Sequence, residues 1–80
     1  SGSGAVFDYK SRLQELLQSR RQPAPVYRLV SETGPDHDKV FTVEVLAGDE
    51  VLARNSGRSK KLAETGAARL ALELLGGDFT

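Results

Sequence analysis

Residues 40–54 read VFTVEVLAGDEVLAR, and their pattern sets the architecture of the chain. In an extended strand Phe41, Val43 and Val45 point to one face, whereas Thr42 and Glu44 point to the other. The run is rich in β-formers. Gly-Asp at residues 48–49 permits a tight hairpin turn, because glycine adopts positive φ at little cost. The stretch therefore predicts two antiparallel strands with one apolar face and one wet face.

A further strand is predicted upstream of this hairpin. Residues 26–33, VYRLVSET, are rich in β-formers, and the segment 34–39 after them opens on the turn signal Gly-Pro-Asp. Downstream, residues 50–54 form a shorter run that Asn55-Ser56-Gly57 is expected to break. We therefore predict strands at 26–33, 40–47 and 50–54, joined as an antiparallel meander.

Two helices are predicted to flank the sheet. Residues 8 to about 20 carry apolar side chains at helical spacing, and proline then ends the element. A second helix is predicted from Ser59, a preferred N-cap residue, to the Gly76-Gly77 pair. The first apolar stripe is Tyr9, Leu13, Leu16 and Leu17; the second is Ala63, Ala67, Leu70, Ala71, Leu74 and Leu75. Because only one sheet face is apolar, both helices must cover it, which gives a two-layer α+β domain.

Length and composition limit the chain to one domain. Eighty residues, 39% of them hydrophobic, suffice for a single core. There is no cysteine, which excludes disulfides and thiolate metal sites and favours a reducing compartment. No stretch approaches the ~18 apolar residues of a membrane span. We interpret residues 1–4 as a cloning remnant, 5–77 as the domain and 78–80 as a tail.

The formal net charge is zero, but the charges are unevenly distributed. Residues 1–30 hold five bases and two acids, and residues 54–61 hold four bases and no acid. Residues 31–53, by contrast, hold one base and six acids. A folded chain can therefore present a basic face built from the first segment and from residues 54–61.

Five segments, in order and at the right spacing, carry a family resemblance. They are DYK at 8–10 with LQE at 13–15, PVY at 25–27, FTVEV at 41–45, and GRSKKLAE at 57–64 with AA at 67–68. Together they resemble a double-stranded-RNA-binding domain (dsRBD). The DYK opening and the GPDH loop at 34–37 are similar to the C-terminal domain of bacterial ribonuclease III.

The resemblance implies a binding module for A-form double-stranded RNA that tolerates many sequences. It also implies a parent enzyme, ribonuclease III, for which these residues would capture the substrate. Catalysis, Mg²⁺ and homodimerisation would then belong to an upstream domain that is absent here. The fragment itself would be a cytoplasmic monomer without catalytic residues, metal ligands or cofactor.

The resemblance also implies three RNA-binding patches. Patch 1 is the polar face of the first helix, where uncharged side chains suit the 2′-hydroxyls of a shallow minor groove. Patch 2 is the loop 34–39, with His37 near its tip between Asp36 and Asp38, whose carboxylates should repel phosphate and are expected to point to solvent. Patch 3 is the start of the second helix, whose free N–H groups and dipole favour phosphate. The candidate residues are Ser11, Gln14, Gln18, His37, Arg58, Ser59, Lys60 and Lys61.

The sequence departs from the family pattern at two positions, and two other functions are less consistent with it. Asn55 stands where many members have glycine, but asparagine also tolerates the left-handed conformation, so the turn should survive. Glu64 stands where strong binders often carry a third lysine, which is expected to weaken RNA binding. A nuclease would need convergent carboxylates for magnesium, which the scattered acids do not offer. A protein-binding version of the fold usually loses the lysine pair, whereas Lys60 and Lys61 are present.

Overall fold

The computed structural model describes residues 8–76 and confirms the predicted α+β architecture. The elements are α1 (Tyr9–Ser19), β1 (Pro25–Thr33), β2 (Val40–Ala47), β3 (Glu50–Gly57) and α2 (Lys60–Leu74). The strands form one antiparallel sheet in the order β1-β2-β3. The interpretations of residues 1–4 and 78–80, and the ends of the predicted domain at 5–7 and 77, fall outside the described residues. No helix within residues 8–76 is long and apolar enough to cross a membrane.

The third strand is longer than predicted. It runs to Gly57, and Asn55 pairs with Val43 of β2 instead of breaking the strand. Its side-chain amide donates to the carbonyl of Ala63 in α2 at 3.4 Å. A Cβ at Gly66 would lie 1.9 Å from that amide nitrogen, so glycine makes room for it. Asn55 therefore has an extended backbone conformation, not a left-handed one, and its side chain contacts α2.

Both helices cover the predicted apolar face of the sheet. Leu13 and Leu17 of α1 and Val43 and Val45 of β2 are buried. Helix α2 contributes mostly small side chains, since Ala63, Ala67, Ala68 and Ala71 are all fully buried. Alanine lets the helix backbone approach the sheet closely. The core is therefore thin between α2 and the strands, and its bulk comes from leucine and valine.

One part of the predicted core was wrong. Leu70 and Leu74 are 37% and 74% exposed, whereas Leu72, which the predicted stripe omitted, is fully buried. Leucines flank the Ala63-Ala67-Ala71 line on both sides, so helical spacing alone could not choose between them. Packing against the sheet decides which leucines are buried, because the flank of α2 that carries Ala68 and Leu72 faces the core.

The outer sheet face holds a buried carboxylate. Glu44 is only 6% exposed although it points away from the helices. Arg28 of β1 donates to it at 2.6 Å, and Arg54 of β3 donates at 2.7 Å. These hydrogen bonds hold the pKa of Glu44 below its ordinary value. The face predicted to be wet therefore carries a row of three charges that spans all three strands.

Helix α1 is capped at both ends. Asp8 is its N-cap and accepts from the backbone N–H of Ser11 at 3.1 Å. At the other end the N–H of Arg21 binds the carbonyl of Gln18, and the N–H of Gln22 binds that of Leu17 at 2.9 Å. This pair of bonds is a Schellman motif, which places Arg21 in the left-handed region at φ 58. Arginine at this position carries the steric cost of a positive φ, which glycine would avoid.

We expect Arg21→Gly to raise the free energy of unfolding by about 0.5–1 kcal/mol. Glycine avoids the steric cost of positive φ, and its larger unfolded-state entropy offsets part of that gain. A thermal melt should show a midpoint higher by roughly 2–8 °C. As a control, Gln18→Gly places glycine in ordinary helix and should lower stability by about 0.5–1 kcal/mol. A fall in both variants would contradict strain at Arg21.

Candidate nucleic-acid interface

Patch 1 lies on the exposed face of α1. Gln14 and Gln18 are exposed and line a shallow cleft of about 120 Å³ with Gln22 and Ala24. Ser11 is also exposed, but its hydroxyl donates to the Asp8 carboxylate at 2.7 Å. That bond and the one from its backbone N–H lower the pKa of Asp8. The Ser11 hydroxyl is therefore left as an acceptor, whereas the glutamine amides can both donate and accept.

Patch 2 is a tight turn at the end of the sheet. Gly34 has φ 93, and a Cβ there would lie 2.4 Å from the carbonyl oxygen of Asp38. The N–H of Asp38 binds the carbonyl of Pro35 at 2.9 Å, which closes the turn. His37 is exposed at its tip. Lys39 lies 3.3 Å from Glu32 and ties the loop to the end of β1. The loop is thus held in shape while its tip faces solvent.

Patch 3 is the N-terminus of α2. Ser59 is the N-cap, as predicted, and its hydroxyl oxygen accepts from the N–H of Leu62 at 3.0 Å. Arg58, Lys60 and Lys61 are exposed around it. The helix can start this close to β3 because Gly57 has no side chain, since a Cβ there would lie 2.9 Å from the Ala63 nitrogen. Three cations thus surround the positive end of a helix dipole.

The structure brings patches 2 and 3 together. A cleft of about 250 Å³ lies between them and is lined by Asp36, His37, Asp38, Lys39, Phe41 and Arg58. The Arg58 guanidinium lies 3.6 Å from the Asp38 carboxylate. The Lys60 ammonium lies 5.9 Å from the centre of the Phe41 ring, within cation–π range. Loop and helix therefore form one continuous surface, which sequence spacing alone could not show.

Patch 1 is connected to this surface through the helices. Lys10 of α1 binds Glu64 of α2 at 2.5 Å, and its ammonium lies 4.6 Å from the centre of the Tyr27 ring. Burial raises the pKa of Tyr27 to about 12, helped by the charges of Glu64 and Asp8. Within the described part of the chain the buried Tyr27 hydroxyl has no hydrogen-bond partner. Glu64, in place of a third lysine, thus neutralises Lys10 and ties α1 to α2.

No group of three or more metal-binding side chains occurs within residues 8–76. Residues 9–75 match the family model of the double-stranded RNA binding motif. The chain belongs to this family. The dsRBD is 53% identical over 73 residues to Ribonuclease 3 of Dehalococcoides mccartyi strain CBDB1. This alignment covers 91% of the chain and 31% of that protein. It is 52% identical over 75 residues to Ribonuclease 3 of Myxococcus xanthus strain DK1622, covering 94% and 28%. The chain thus spans less than a third of these relatives.

Solved structures agree with this assignment. A structure of Arabidopsis HYL1 superimposes with a TM-score of 0.73 at 37% identity, covering 85% of this chain and 96% of that one. The dsRBD of a tRNA-dihydrouridine(20) synthase gives a TM-score of 0.76 at 27% identity, covering 95% and 79%. The fold is therefore shared by dsRBDs from quite different proteins.

Asp38 is exposed, as predicted, but its carboxylate also pairs with Arg58, one of the cations of the dsRBD. We expect Asp38→Asn to tighten binding to duplex RNA about two- to fivefold near 0.1 M salt, because a surface ion pair is worth up to ~1 kcal/mol. Titration by fluorescence anisotropy measures the change. Asp49→Asn, in the exposed β2–β3 turn, removes the same charge elsewhere and is the control. Weaker binding by Asp38→Asn would mean that this pair positions the loop.

Proposed function

We propose that this dsRBD binds A-form double-stranded RNA through its shape and backbone and tolerates many sequences. The observation that carries the proposal is the surface shared by patches 2 and 3, where a capped helix N-terminus with three exposed cations adjoins the loop that bears His37. Free backbone N–H groups and lysines at such a terminus suit phosphate. Family membership supports the same ligand.

The three patches are proposed to contact successive parts of one duplex. Patch 1 would lie in a minor groove, where Gln14 and Gln18 can hydrogen-bond 2′-hydroxyls. The phosphates that border the intervening major groove would meet Arg58, Ser59, Lys60 and Lys61. His37 would enter the next minor groove. Phosphate contacts supply the salt-sensitive part of the affinity, and minor-groove contacts distinguish RNA from DNA.

In its parent protein the domain is proposed to capture substrate for ribonuclease III in the cytoplasm. The two Ribonuclease 3 relatives, at 53% and 52% identity, support this assignment. Cleavage would be performed by a domain outside these 80 residues, which would also supply Mg²⁺ binding and homodimerisation. The domain would then hold a duplex beside that catalytic centre and take no part in the chemistry.

The proposal is tested by titrating the chain with RNA and DNA duplexes of the same sequence. We expect binding to duplex RNA of about 16 base pairs or longer and much weaker binding to DNA, since the patches must span two minor grooves of A-form width. Incubation with Mg²⁺ should leave the RNA intact. Equal affinity for DNA would overturn the proposed recognition. Absence of binding to either duplex would favour the protein-binding version of the fold.

A further inference from the structure

The cleft at the C-terminal end of α1 contains a glutamine that the sequence did not single out. We infer that Gln22 is a further RNA-contacting residue and that this cleft, lined by Gln14, Gln18, Gln22 and Ala24, receives a ribose 2′-hydroxyl of the minor groove. The inference rests on the proposed function and extends patch 1 beyond the end of the helix.

The backbone holds Gln22 beside the C-terminal end of α1. In a helix, residues four apart lie on one face, so Gln14 and Gln18 are stacked and a residue at 22 would follow them. The helix ends at Ser19, but the Schellman motif folds the chain back so that the N–H of Gln22 still binds the carbonyl of Leu17 at 2.9 Å. Gln22 therefore stays next to α1 although the helix has ended, and it lines the same cleft as Gln14 and Gln18.

The segment after Gln22 is also anchored. Pro23 fixes its own φ and packs close to the β2–β3 turn, where a Cβ at Gly48 would lie 3.4 Å from the proline ring. Gln22 is thus held on one side by α1 and on the other by a proline against the sheet. An exposed side chain on an anchored backbone loses less conformational entropy on binding than one on a free loop.

The chemistry of the cleft selects its ligand. Its lining has three carboxamides and one methyl group but no charged side chain, so it offers nothing that would favour a phosphate. A carboxamide both donates and accepts hydrogen bonds, and so does a ribose 2′-hydroxyl. The Ala24 methyl group can lie against sugar carbons. The volume, about 120 Å³, suits part of a sugar and excludes a whole base pair.

The same geometry places the centre of patch 1 nearer the C-terminus of α1 than the sequence suggested. The Ser11 hydroxyl already donates to Asp8 at 2.7 Å, whereas the Gln22 side chain has an exposed position at the cleft. The minor-groove contact is therefore centred on Gln18, with Gln14 and Gln22 on either side.

The test compares Gln22→Ala with the parent chain on two duplexes of one sequence, all-RNA and 2′-fluoro-substituted, which keeps the A-form but lacks the hydroxyl donor. We expect Gln22→Ala to weaken binding to all-RNA duplex roughly two- to tenfold at every salt concentration, with no change in salt slope. On the 2′-fluoro duplex the loss should largely disappear. Gln14→Ala should behave in the same way.

Ser19→Ala is the matched control, because Ser19 is exposed on α1 but does not line the cleft. Gln22 also borders a second cleft lined by Leu17, Leu52 and Leu75, so thermal melts are recorded for every variant. A packing role there would lower the melting midpoint and weaken binding to both duplexes equally, which overturns the inference. If Gln22→Ala binds RNA like the parent chain, the inference about Gln22 is overturned but the proposed function stands. If the parent chain binds no RNA, the proposed function is overturned as well.

Discussion

Leu72→Ala is expected to lower the free energy of unfolding by about 2–5 kcal/mol, because it leaves a cavity where a fully buried leucine meets the alanines of α2 and the sheet. A small domain has only about 5–15 kcal/mol of total stability, so a substantial fraction of the chain should unfold near 37 °C. Thermal melts followed by circular dichroism measure the change. A parent-like midpoint would show that the flank of α2 facing the core has been placed wrongly.

Leu70→Ala provides the matched control on the same helix. Leu70 is 37% exposed, and alanine has the higher helix propensity, so this substitution should cost about 1 kcal/mol or less. The two variants remove the same atoms two residues apart, and only their burial differs. An equal loss of stability in both would mean that α2 is rotated from its described orientation.

The second large effect is expected in RNA binding. Replacing Lys60 and Lys61 by alanine should weaken binding to every duplex by about tenfold or more near physiological salt. The salt slope should fall by about two, because the variant has lost two phosphate contacts and therefore releases fewer counterions on binding. Both lysines are exposed at the N-terminus of α2, so folding should be unaffected. Titrations at several salt concentrations give affinity and slope together.

Arg69→Ala is the control for this charge effect. Arg69 is a 58% exposed cation on the same helix, but it lies away from the helix N-terminus. It pairs at 3.3 Å with Glu73, which is one helical turn further along α2. Its loss should leave the slope almost unchanged. If the lysine variant kept the parent slope, or if Arg69→Ala lowered it equally, patch 3 would not be the phosphate contact.

Much of the candidate interface could be predicted because its parts are local. Ser59 was predicted as the N-cap from residue type alone, and the structure confirms it. Lys60 and Lys61 follow the cap in sequence, so their position at the helix N-terminus required no tertiary information. Gln22 was not predicted as a contact residue, because Pro23 directly after it indicates that the helix has ended by this position. A Schellman motif with arginine at its left-handed position carries no glycine signal.

Contacts between distant segments could not be predicted in this way. The pairs Arg58–Asp38 and Lys10–Glu64 join residues 20 or more positions apart, and their charges are visible in the sequence without their geometry. Asp38 was expected to face solvent, and Glu64 was expected only to weaken binding. Asp38 is indeed exposed, but the structure shows that it also pairs with Arg58, and that Glu64 pairs with Lys10.

The sequence by itself determined the element order, the antiparallel hairpin at Gly48-Asp49 and the covered face of the sheet. These features depend on periodicity, turn chemistry and caps, which act over a few neighbouring residues. Tertiary structure alone decided that Leu72 and not Leu70 enters the core, and that Glu44 is buried between two arginines. It also extended β3 through Asn55. The reason is physical: a helix with leucines on both flanks, or a polar residue at a strand end, has no locally preferred partner until another element packs against it.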